Sequence, residues 1–220
     1  KSLKYLFLIT ISLFLISCKA LSEKTSVKSL ESKPIVITTF TVLADIARNI
    51  AGDRLVIKSI TKPGAEIHGY KPTPRDLVMA SQADLILENG FGLELWARNF
   101  TNSAGNTPSA VLTKGMKPLL IEGDLYIGKP NPHAWMSPKR AIHYVDNIVK
   151  AFTAIDPEGN DIYIENAYKY KEDLMELDEE LKEALSKIPI SKRFLVTCEG
   201  ALSYLADDYG FQEAYLWPVN

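Results

Sequence analysis

Ile35-Val-Ile-Thr-Thr-Phe40 runs directly into Thr41-Val-Leu-Ala-Asp-Ile-Ala-Arg-Asn-Ile-Ala51-Gly52, and this junction sets the reading of the whole chain. The first run is rich in β-branched and aromatic residues and predicts a strand. In the second, Val42/Leu43, Ile46, Ala47 and Ile50 fall on one helical face, and Gly52 is placed to cap the end. The same succession then repeats. Leu55–Ile60 predicts a strand, and Thr73-Pro74-x-Asp76 combines an N-cap, a proline at the first helical position and an acid three residues past the cap. Asp84–Leu87 predicts another strand, and Leu93, Trp96, Ala97 and Phe100 mark a further helix. Short strands are expected at Ala110–Leu112 and Pro118–Ile121. Strand–helix alternation of this kind implies an α/β lobe with a mostly parallel sheet.

Beyond Ser137-Pro138 the pattern becomes helical. Ala141, Val145, Ile148, Phe152 and Ile155 form an apolar stripe that stops at Asp156-Pro157. Tyr163, Ala167, Tyr170, Leu174, Leu177, Leu181, Ala184 and Ile188 then alternate steps of four and three, predicting one helix from Pro157 to Lys187, roughly 45 Å long at ~1.5 Å per residue. A second strand–helix unit opens after Pro189, with Arg193–Thr197 as strand, Ala201–Tyr209 as helix ended by Gly210, and Tyr215–Trp217 as a further strand. One such unit cannot cover both faces of a parallel sheet. The expected organisation is therefore α/β with two lobes of mostly parallel sheet joined by one long helix, the second lobe incomplete. The lobes are expected at 35–156 and 189–220, with the linking helix at 157–188.

The N-terminal residues read differently. Lys1 and Lys4 precede an apolar run, Tyr5 to Ile16, shorter than the ~20 residues of a bilayer span, so residues 1–17 are expected to be a signal peptide. Leu15-Ile16-Ser17-Cys18 resembles a bacterial lipoprotein box, which makes Cys18 the expected lipidation site. Residues 18–34 then form a polar tether with a reach of ~20 Å. Composition is that of a globular protein, with 46% hydrophobic and 24% charged residues. Lys+Arg 25 against Asp+Glu 27 leaves no basic surplus for nucleic acid, and two cysteines are too few for a disulfide framework.

Only three histidines are present. His68 lies in the Gly- and Pro-rich stretch between a predicted strand and a helix cap, where open α/β sheets bind ligands. His133 lies directly before the Ser137 cap. His143 sits opposite an apolar stripe and is expected at the surface. Glu199 occupies the strand-to-helix turn Thr197-Cys-Glu-Gly200. Two imidazoles and a carboxylate at equivalent loop positions make a ligand set for a borderline divalent metal.

Gly64-Ala-Glu-Ile-His68-Gly-Tyr-Lys-Pro-Thr-Pro74, Asn131-Pro-His133-Ala-Trp-Met-Ser-Pro138 and Val196-Thr-Cys-Glu199-Gly-Ala-Leu-Ser-Tyr204 together resemble the metal-binding lipoproteins of bacterial ABC importers, the manganese/iron branch most closely. The resemblance runs from Ile35 to Asn220. It implies a metal held in the cleft between two lobes, with His68 and His133 as ligands from the first and Glu199 from the second. A fourth ligand, an aspartate, would lie beyond Asn220, so the chain is expected to be C-terminally truncated. It further implies that some relatives pair the cysteine at position 198 with one in the remaining lobe; here its one possible partner is Cys18.

The function expected is capture of a divalent metal, Mn²⁺ or Fe²⁺ favoured and Zn²⁺ possible, and its delivery to an ABC permease. The carrier would be a monomer, outside the cytoplasm and lipid-anchored to the bacterial membrane. The ATPase would be a separate chain, since no phosphate-binding Gly-x-x-x-x-Gly-Lys-Ser/Thr occurs. No reaction is expected. The competing readings are a zinc hydrolase using the same three residues, and a surface adhesin with a structural metal. The hydrolase would need an open coordination position and lacks a His-Glu-x-x-His pattern.

Overall fold

The first sheet is wholly parallel and is ordered β2-β1-β3-β4 in the computed structural model, which describes residues 32–97 and 107–219. Its strands are β1 (Ile35–Thr38), β2 (Val56–Ser59), β3 (Leu85–Glu88) and β4 (Ser109–Val111). Register runs Val36 to Ile57 on one side and Val36 to Leu85 on the other, which makes β1 a central strand. Central parallel strands are covered on both faces, so Val36, Ile37 and Thr38 are all fully buried despite pointing in alternate directions. The expectations for residues 1–31, Cys18 included, lie outside the described residues.

Helices cover the two faces with different stripes. On one face, α1 (Thr41–Ala51) sends Leu43, Ala47 and Ile50 into a core shared with Val36, Leu85 and Leu87. The same core takes Tyr144, Val145, Ile148 and Phe152 from α3 (Pro138–Ile155) and Tyr163 and Ala167 from α4 (Asn160–Ser186). On the other face, α2 (Pro74–Ser81) packs Ala80 and Leu77 against Ile37, Ile60 and Ile86. Its start is fixed as the sequence predicts. The Thr73 amide donates to Asp76 Oδ2 at 2.7 Å, and the Asp76 amide donates back to Thr73 Oγ1 at 3.3 Å.

The second sheet has two strands, β5 (Phe194–Glu199) and β6 (Gln212–Trp217), parallel and joined through α5 (Ser203–Tyr209). Gly210 ends α5 in the left-handed conformation, at φ 70°. From Lys33 onward the described residues form one compact unit. Tyr204 of α5 is fully buried in the same core as α1, α3 and α4, which seats the second sheet's helix on the first lobe. No helix among the described residues is long and apolar enough to cross a membrane.

Three expectations need correction. Pro118–Ile121 is not a sheet strand. The Ile121 amide donates to Lys129 O and the Asn131 amide to Leu119 O, so the segment folds on residues 128–131 and leaves only the bridge Leu120–Pro130. Residues 91–96 are turns, with helical backbone only from Ala97, and the rest of that predicted helix, Phe100 included, lies outside the described residues. Gly90, Phe91 and Gly92 all take positive φ there, and the buried carboxylate of Glu94 turns back to accept from Thr39 Oγ1 and the Asn89 amide, both at 2.7 Å. Finally, the long helix begins at Asn160 after a 3-10 turn at Pro157–Gly159, which shortens it to about 40 Å.

Candidate metal centre

Two of the three singled-out residues, His68 and Glu199, stand between a strand and a helix, and the third, His133, stands at the entry to a helix. His68 follows β2 and precedes α2. Its backbone N–H and that of Gly69 both donate to the Glu66 carboxylate at 2.6 Å, which curls the loop tightly around position 68. Trp96 Nε1 donates to Ile67 O at 2.9 Å and holds the loop from the side. His133 directly precedes the 3-10 turn Ala134–Met136 that leads into α3. Its ring packs edge-on against Trp135, which in turn packs on Phe40. Glu199 is the last residue of β5.

The structure brings all three together. His68 Nε2 lies 3.2 Å from His133 Nε2 and 3.1 Å from Glu199 Oε1, and His133 Nε2 lies 3.5 Å from the same oxygen. A point equidistant from these atoms is about 1.9 Å from each in their plane, so an ion with ligand bonds of ~2.1 Å fits all three about 0.9 Å to one side. The side chains of His68, His133 and Glu199 are 11%, 4% and 20% exposed, so solvent reaches the cluster mainly past the carboxylate. Two imidazole nitrogens and a carboxylate oxygen at contact distance present converging lone pairs. They repel one another unless a proton or a cation lies among them. Among the described residues this is the only group of three or more His, Cys, Asp or Glu side chains so arranged.

The support behind the cluster is polar and largely buried. Asn89, just past β3, donates from Nδ2 to Pro132 O at 2.9 Å and accepts from Tyr144 O–H at 2.6 Å, tying the His133 loop to the sheet and to α3. Burial pushes the Glu94 carboxyl up, and the Thr39 hydroxyl and the Asn89 and Gly90 amides act in the opposite direction. Tyr204 O–H donates to Asn131 O at 2.8 Å and accepts from the Leu119 amide at 3.1 Å. Further along, Arg140 at the start of α3 holds Asp208 with two bonds of 2.9 and 2.8 Å, and Ser137 Oγ donates to Asp208 Oδ2 at 2.6 Å. Asp208 raises the Arg140 guanidinium pKa.

His143 stands apart, half-exposed, with Nε2 2.8 Å from Lys114 O. Cys198 is exposed and unpaired among the described residues. Sequence reasoning did not single out Asn131. Its signal was present in Asn131-Pro-His133, since an asparagine side chain readily bonds the backbone two residues on.

Comparison with known proteins gives a consistent picture. The chain matches, over residues 36–220, the family described as ZnuA, zinc-uptake complex component A periplasmic. It is 54% identical over 215 residues to the iron-binding protein YfeA of Yersinia pestis, covering 98% of this chain and 69% of that protein. To the manganese ABC transporter substrate-binding lipoprotein PsaA of Streptococcus pneumoniae it is 39% identical, covering 91% and 67%. The solved Mn-bound periplasmic metal binding protein from candidatus liberibacter asiaticus superposes with a TM-score of 0.80 at 38% identity, covering 86% of this chain and 70% of that one. The chain thus spans about two thirds of the length of these relatives. With a match across nearly all of its folded part, two parallel sheets linked by a long helix and three potential ligands converging between them, this chain belongs to the ZnuA family of periplasmic metal-uptake components.

Proposed function

We propose that this chain is the solute-binding component of an ABC importer, capturing a divalent transition metal outside the cytoplasm through His68, His133 and Glu199 and delivering it to a membrane permease. The observation that supports this most is the triangle of donor atoms with sides of 3.1 to 3.5 Å, sized for one ion. Residues 35–156 and 189–220 are the lobes that carry the ligands, and 157–188 is the segment between them, built around α4. Two neutral imidazoles and one carboxylate leave a bound M²⁺ with net positive charge. That charge suits a further anionic oxygen donor in the set. Cys18 carries the lipid that keeps the monomeric carrier at the membrane, and the ATPase acts through the permease.

Mn²⁺ or Fe²⁺ is the favoured cargo, because a carboxylate in place of a third imidazole hardens the site, and the relatives named above bind iron and manganese. Relative affinity does not follow the same order, since Zn²⁺ outcompetes Mn²⁺ at most N/O sites. Catalysis has no place in the family, and the hydrolase reading is set aside.

The test is equilibrium metal binding by chelator competition with Mn²⁺, Fe²⁺ and Zn²⁺, on the wild-type chain and on His68→Ala/His133→Ala. Loss of two direct ligands should weaken binding by more than about a hundredfold, beyond what loss of an outer partner costs. Equal affinity in the two proteins would refute the site.

A further inference from the structure

We infer that Asn131 is the positioning residue that prepares His133 as a ligand and registers it against Glu199, an inference that rests on the metal-carrier reading above. Asn131 is 3% exposed and makes four side-chain contacts, all with groups of these two ligand segments. Its Oδ1 accepts from the His133 backbone N–H at 3.0 Å and lies 3.0 Å from His133 Nδ1. Its Nδ2 donates to Gly200 O at 2.7 Å and to Ser203 Oγ at 2.9 Å.

The backbone fixes which way the amide points. An N–H faces one end and a carbonyl faces the other, so the oxygen lies toward His133 and the nitrogen toward Gly200. The amide oxygen can only accept, and His133 Nδ1 must therefore carry the proton. That leaves the lone pair on Nε2, the atom directed at His68 Nε2 and Glu199 Oε1. The other end of the same amide grips the carbonyl of Gly200, the residue after Glu199. One side chain thus selects the tautomer of a first-lobe ligand and ties that ligand to the backbone beside the second-lobe ligand. Partners of this kind typically change metal affinity by about 10–100-fold.

The experiment uses the full chain, wild type, Asn131→Ala and Asn131→Asp. Two-bond ¹H–¹⁵N imidazole spectra of the metal-free protein, in alkaline buffer, report the tautomer of His133 without any metal. The wild type should show a single Nδ1–H form. Asn131→Ala should show a mixture and bind Mn²⁺ about tenfold to a hundredfold more weakly. Asn131→Asp keeps the acceptor and should restore the Nδ1–H form. Both variants lose the donor to Gly200, and amide exchange should rise across residues 199–203 in each. A wild-type proton on Nε2 overturns the inference even if Asn131→Ala does not fold, as does an Asn131→Ala protein with unchanged tautomer and affinity. A wild-type chain that takes up no Mn²⁺ refutes the carrier reading instead, whereas a wrong tautomer with uptake intact refutes only the role of Asn131.

Discussion

Tyr204→Phe removes one oxygen and should be felt at both the fold and the site. Tyr204 is fully buried, and burial pushes its phenol up, with the Leu119 amide and Arg140 acting the other way. Its hydroxyl donates to Asn131 O and accepts from the Leu119 N–H. The phenylalanine ring keeps the packing, so the loss is almost purely the two hydrogen bonds. Each buried polar group left without its partner costs about 1–3 kcal/mol, and the hydroxyl's own desolvation cost is recovered, so a net loss of about 2–3 kcal/mol follows. For a chain of this size that corresponds to a melting temperature lower by about 4–12 °C. Urea denaturation, analysed by linear extrapolation, measures it directly, and an unchanged slope would show that the same surface is exposed on unfolding. A loss under about 0.5 kcal/mol would mean that water or a small backbone shift satisfies both groups, and that Tyr204 contributes only its ring.

Arg140→Met should destabilise the chain by about 1–3 kcal/mol, because it strips a two-point partner from the nearly buried Asp208; a double-mutant cycle with Asp208→Asn checks it, and zero coupling would refute the pair. Arg54 holds the Asp156 carboxyl below its usual range, so the stabilisation is present above the unfolded pKa and lost as pH falls through the folded one. The stability gap between wild type and Arg54→Met, measured in urea, should therefore be open at neutral pH and close as pH falls below the ordinary carboxylate range; a constant gap would contradict this. Protons and metal compete for the imidazole lone pairs, so Mn²⁺ affinity measured by calorimetry should fall on acidification, and a flat profile between about pH 5 and 8 would count against histidine ligation.

The parts of this molecule that could be read from sequence are those whose signal is local. Strand β1 and helix α1 announce themselves because a β-branched run and a helical stripe meet at one junction, and the Thr73–Asp76 cap needs only four residues to define itself. The positions of His68, His133 and Glu199 were legible because local cap and turn signals surround each: the Thr73 cap after His68, the Ser137-Pro138 helix start after His133, and the strand-to-helix turn at Glu199. What could not be read depends on partners far away in sequence. Pro118–Ile121 has the composition of a strand, yet its hydrogen bonds go to residues 128–131 and to Tyr204, 85 positions from Leu119. Glu94 sits in a helical-looking stretch but is drawn inward by Thr39, 55 residues earlier. The role of Asn131 likewise appears only when Gly200 and Ser203 arrive beside it.

The ties between the Glu199 segment and the first lobe bear on how a carrier of this kind must work. Within nine residues of Glu199, Gly200 and Ser203 are held by Asn131, Tyr204 by Leu119 and Asn131, and Asp208 by Ser137, Lys139 and Arg140. Tyr209 adds a bond to Asp178 of the long helix at 2.8 Å. Three potential ligands stand at contact distance in this arrangement. An apparent affinity is reduced by the fraction of molecules in the competent state, and ties that favour the converged arrangement raise that fraction. The same rigidity slows release, since an ion leaves quickly only when a ligand withdraws. Glu199 is the most exposed of the three and the one carried on the second sheet, so withdrawal there requires loosening the bonds that Gly200, Ser203 and Asp208 make to Asn131, Ser137 and Arg140. A partner that opens this carrier must therefore bind the loosened state more tightly than the latched one, by enough to offset those few buried hydrogen bonds at about 1 kcal/mol each.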